Sequence, residues 1–174
     1  MMKLMLYFRS VCLLFLLSAG TLYAQETQEI QPEIPSKADE RISKQLDSLE
    51  YKYTVNDKGD FKLICRLGDD RTQVVFINSS TQNFQDIEIR EIFSPAALLK
   101  ASDFSVPFLK KLLEENYNKK IGAWQMISGN ESSLITYTVK ADANCQPSEL
   151  NKIIWLVAQT AEELEKEISA EDNY

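Results

Sequence analysis

The stretch "NKKIGAWQMISGNESSLITYTV", Asn118 to Val139, decides how the chain folds. Trp124 and Met126 fall on one side of a period-two pattern, and Ile135, Tyr137 and Val139 fall on one side of its return. Between them "SGNES" supplies turn chemistry, so the stretch reads as a β-hairpin with one dry face. It carries no histidine, no cysteine and no reactive pair, so its role is to be packed and to be paired with.

Working outward, the segment before the hairpin, Asp103 to Asn116, places Phe104, Phe108, Leu109, Leu112 and Leu113 on one helical face. Lys110 with Glu114 and Lys111 with Glu115 sit at i,i+4 on the other side, and Pro107 fits within the first turn. After the hairpin, Leu150, Ile154, Val157, Ala161, Leu164 and Ile168 recur at 4,3 spacing and predict a helix from about Pro147 to Ile168, with Trp155 and Ile153 off its main stripe.

Further upstream the signals are mostly strands. Tyr51, Tyr53 and Val55 alternate with polar residues, "NDKG" turns the chain, and Phe61, Leu63, Cys65 and Leu67 alternate again before "GDD". "TQVVFIN" and "DIEIREIF" follow, the second setting Ile87 and Ile89 against Glu88 and Arg90. These four runs predict a meander. Ahead of them, Ser36 with Asp39 resembles a capping box, and Ile42, Leu46 and Leu49 recur at helical spacing. The order α-β-β-β-β-α-β-β-α gives an α+β fold, an antiparallel sheet with helices on one face, because each element has one apolar side to hide.

The N-terminus reads as an export signal over residues 1–24. Lys3 and Arg9 precede the apolar run Val11 to Leu17, and small residues follow it. The run falls well short of the ~20 apolar residues of a spanning helix. Removal after Ala24 leaves an acidic tether over residues 25–35, "QETQEIQPEIP", a single domain over 36–169 and a frayed end at 170–174. The expected location is periplasmic or extracellular, without membrane insertion once the signal is gone.

The shortened chain has 17 basic and 26 acidic residues, a formal charge of −9, which repels phosphate backbones and argues against nucleic acid. With no histidine anywhere, a Ser-His-Asp triad, a Cys-His pair and a His-ligated metal are absent. Gly59, Gly68, Gly122 and Gly129 are each isolated, so no phosphate-cradling loop is encoded. Asp57, Asp60, Asp69 and Asp70 read as solvated turn residues, and Glu162, Glu163, Glu165 and Glu167 as a solvated helix face or a docking patch for a basic partner. No catalytic residue, metal or cofactor is expected. Cys65 and Cys145 would remain; they are either bridged or free, and Cys65 in a strand pattern packs well as a small hydrophobe.

Apolar positions left over after the core faces are assigned are more informative. Ile64, Phe76, Leu134 and Trp155 form the candidate interaction surface. The expected function is a non-enzymatic interaction domain for a protein or peptide partner, a second copy of the chain included. The alternative is a small-molecule sensor or carrier with a pocket lined by Tyr53, Trp124, Met126 and Tyr137.

Three strings, "LDSLEYKYTVNDKGDFKL", "LKKLLEENYNKKIGAWQM" and "ELNKIIWLVAQTAEELE", carry a resemblance to the YbjN family of sensory-transduction regulators, whose fold is similar to that of type III secretion chaperones. The resemblance covers residues 46–168 and implies an α+β sandwich that binds protein segments, with no catalytic positions. Asn116, Gly122 and Trp124 match the family's helix-to-strand junction and are expected to be fold determinants.

Overall fold

The computed structural model describes residues 38–169 and 171–174; the expected signal, the tether and Ser36 lie outside them. The described residues belong to one compact unit. Its elements are α1 (Glu40–Ser48), β1 (Tyr53–Val55), β2 (Phe61–Gly68), β3 (Arg71–Phe84), β4 (Ile87–Lys100), α2 (Val106–Asn118), β5 (Ala123–Ser128), β6 (Ser132–Asp142) and α3 (Pro147–Ile168). All six strands form one antiparallel sheet in the order β1-β2-β3-β4-β6-β5, with the three helices on one side. The predicted meander and hairpin are both present, joined by β4 lying beside β6.

The core is a two-layer sandwich. Phe61, Leu63 and Cys65 of β2, Val75 and Ile77 of β3, Ile92 of β4 and Ile135, Tyr137 and Val139 of β6 face the helices. Against them α3 lays Leu150, Ile153, Ile154, Val157, Ala158, Ala161 and Leu164, and α1 lays Ile42 and Leu46. Removing these side chains from water at roughly 25 cal/mol per Å² is what drives the layers together. Pro147 opens α3 in its first turn, where a missing amide donor costs little.

Four local expectations are corrected. Asp39 is itself the N-cap of α1, its carboxylate accepting from the Arg41 amide 2.8 Å away. β4 runs on past Phe93 to Lys100, because the irregular register between Pro95 and Ala97 absorbs the proline's missing donor and the chain resumes pairing with β6. In the same strand the buried side is the one bearing Arg90, not the one bearing Ile87 and Ile89; Ile87 is exposed. The helix expected from Asp103 starts at Val106, capped by Ser105, and of its predicted face only Leu112 is buried while Leu109 and Leu113 are exposed.

Candidate interaction site

Helices cover one face of the sheet, and among the described residues no helix lies on the other, where Thr136 and Thr138 are buried but several apolar side chains are exposed. Strand alternation puts Lys62, Ile64 and Arg66 of β2 on this open face, together with Val74 and Phe76 of β3. Register extends it across the sheet: Phe76 lies opposite Phe93, Phe93 opposite Thr138, and Thr138 opposite Ala123. The Phe76 and Phe93 rings stack with centroids 5.2 Å apart. Nearer the other end, Leu98, Leu134 and Ile127 form a cross-strand row on β4, β6 and β5. Ile64, Leu98 and Ile127 are 62%, 61% and 52% exposed.

Three of the four expected surface residues, Ile64, Phe76 and Leu134, therefore share the open face, with Phe76 and Leu134 half-buried. Trp155 does not join them. It sits half-buried on α3, against the core on the opposite side. Phe93, Leu98 and Ile127 were not foreseen; reading β4 as ending at Phe93 hid the alternation that places Leu98 outward.

The sheet's two edges differ. At β5 the Asn116 side chain accepts from the Trp124 amide at 2.7 Å and its amide group faces the Trp124 carbonyl at 3.4 Å. Asn116 thus occupies the positions a neighbouring strand would take. Gly122 precedes this contact at φ +80°, and a Cβ there would lie 2.8 Å from Val139 Cγ2 and 2.9 Å from the Tyr137 ring. The glycine is required twice, by conformation and by space. At the other edge β1 pairs only with Phe61, Lys62 and Leu63, so among the described residues no strand lies on the outer side of Ile64–Gly68, which pair with β3 on the inner side.

The residues considered for a small-molecule pocket are not brought together. Trp124 and Tyr137 are core, packed edge to face at 5.2 Å, with the Tyr137 hydroxyl donating to the Ile121 carbonyl at 2.6 Å. Met126 is exposed, and Tyr53 lies on β1, at the other end of the strand order, against Phe61.

Polar chemistry concentrates in two buried clusters. In the first, Arg90 is 1% exposed and donates to Asp39 Oδ2 at 2.5 Å and to the Asn78 and Ser79 carbonyls at 2.6 and 2.9 Å. Asp39 also receives Arg41, which reaches on to Glu88 at 2.8 Å. The Arg41 bond first, with Arg90 behind it, holds the Asp39 carboxyl well below the usual carboxylate range; the same arginine, with Thr81, holds Glu88 down at about 2. This cluster fastens the start of α1 to β3 and β4.

The second cluster corrects the expectation of a solvated acidic face on α3. Glu162 and Glu165 are buried, and only Glu163 and Glu167 are exposed. Arg71 bonds Glu162 and lies within 4.0 Å of both Glu165 and Asp172. Glu162, Glu165 and Asp172 could share a cation by spacing alone, but the guanidinium already supplies the opposing charge. The end expected to fray is tied down here too: the Asn173 amide donates to Glu165 at 2.6 Å, and Thr72 donates to Asp172. Asp69 and Asp70 form the tight turn between β2 and β3 at φ +50° and +58°, and Asn56 organises the turn holding Asp57 and Asp60.

Cys65 and Cys145 are both free, Cys65 buried and Cys145 half-buried. Burial pushes the Cys65 thiol up to about 11; burial, with Glu149 and Asp142 nearby, raises that of Cys145.

No protein-family model matches the chain, and no curated protein resembles it closely enough to count as a relative.

Proposed function

We propose that the chain is an exported, non-enzymatic interaction domain that receives a protein or peptide on the sheet face opposite its three described helices, in the manner the resemblance to the YbjN family implies. One observation carries this reading: Ile64, Leu98 and Ile127 stand more than half exposed on one sheet face, beside Phe76, Phe93 and Leu134. Burying such side chains against a partner gains roughly 25 cal/mol per Å² of apolar surface removed from water, so a cluster of them on one face supports docking there. The buried polar clusters support the same reading, since their arginines and carboxylates are spent on each other.

The test is a double substitution, Leu98→Asp with Leu134→Asp, read by size-exclusion with light scattering and by capture from envelope extract. The fold should survive, because neither side chain belongs to the core cluster, while self-association or capture should fall about tenfold. A wild-type chain that stays monomeric and captures nothing sinks the reading.

A further inference from the structure

The outer edge of β2 beyond Leu63, which none of the described strands pairs, lies along an open groove of about 660 Å³ whose charge differs from that of the rest of the protein. The whole chain has 26 acidic and 19 basic residues, yet Lys52, Lys62 and Arg66 line this groove against the single carboxylate Glu50. All three basic side chains are exposed, and none of them makes an ion pair among the described residues. By contrast Arg41, Arg71 and Arg90 are each engaged by carboxylates.

We propose that this groove docks an acidic, extended segment of another protein as an added strand on Ile64–Gly68, an inference that rests on the interaction reading above and names the partner's chemistry. A strand laid about 4.8 Å from β2 takes the backbone groups that β1 leaves unpaired. Its side chains alternate. Those on the open face of the sheet run beside Ile64, Lys62 and Arg66, where a carboxylate finds unpaired cations. Those on the helix side meet Tyr51 and Leu67, both partly buried against the core, where an apolar group fits. The site therefore reads a pattern of alternating acidic and apolar residues. The opposite edge cannot take the same ligand at Trp124, because Asn116 already holds that residue's amide and carbonyl.

The probe is a terminally blocked peptide of alternating glutamate and valine, compared with its lysine–valine counterpart, added to the natively processed, isotope-labelled chain and followed by amide shifts and hydrogen exchange. The glutamate peptide should protect the amides of Ile64–Gly68, and the lysine peptide should not. Lys62→Glu with Arg66→Glu should weaken binding about tenfold or more, as should a rise in salt that screens exposed charges. Equal binding of the two peptides, protection at β5 instead, or unchanged affinity in the double variant overturns the proposal. So does a tenfold gain for Glu26→Gln/Glu29→Gln/Glu33→Gln, since the groove's occupant would then be the chain's own acidic segment. A chain that ignores the peptide yet loses partner capture through Leu98 and Leu134 removes this site and leaves the broader function standing.

Discussion

Arg90 shows how one residue can overrule a hydrophobic pattern. Alternation in "DIEIREIF" favours burying Ile87 and Ile89, but Arg90 finds one carboxylate and two carbonyls on the other side, and the strand turns that side inward. Such a pair costs about 3–5 kcal/mol to break from one end, which makes its orientation hard to reverse. The cluster also sets an acid limit. Asp39 and Glu88 have folded pKa values below their ordinary 3.8 and 4.5, so the stability they contribute is present above those values and is lost as pH falls through the folded ones. Urea unfolding followed from pH 7 to pH 2 should therefore show stability dropping below about pH 4.5, with a shallower drop in Asp39→Asn, which starts lower at pH 7. An equal slope in the two proteins would place the acid sensitivity elsewhere.

Among the elements, the sheet's two edges carry opposite instructions. Asn116 closes β5 from the preceding helix, a contact that spans α2 and the following strand and holds Trp124 in register with Tyr137. Asn116→Ala should cost about 1–2 kcal/mol and expose a strand edge, so the variant should show concentration-dependent association in light scattering that the parent protein lacks at β5. Asn116, Gly122 and Trp124 stood out as a set in the sequence only through the resemblance to the YbjN family; the bonds between Asn116 and Trp124 could not be read, because a helix-to-strand contact depends on how the chain reverses. Helix α3 was legible to its ends because six apolar residues at 4,3 spacing and a first-turn proline all agree. Helix α2 was not, since its apolar residues outnumber the space available beside β5 and only Leu112 is taken inside.

For the molecule as a whole, the order of elements followed from local periodicity, whereas the C-terminal attachment did not. Residues 171–174 look like a polar tail in sequence, yet they reach the start of β3 and help enclose Arg71 with Glu162 and Glu165. Deleting these four residues should lower stability by about 1–2 kcal/mol in urea unfolding and leave the far-ultraviolet spectrum unchanged, since the lost bonds are tertiary. No change in midpoint would mean that the tail is passive. The candidate surface was legible at Ile64, Phe76 and Leu134, where alternation alone decides the face, and was lost at Trp155, because a half-buried position on a helix is settled by the angle at which that helix lies.

The two free thiols carry a kinetic meaning. Thiolate is the species that attacks a disulfide, and with Cys65 raised to about 11 only on the order of one molecule in ten thousand carries it at pH 7. Cys145 is raised as well, by burial and by the nearby Glu149 and Asp142, which disfavours its thiolate in the same direction. Packing, not a covalent link, is what quiets these two sulfurs.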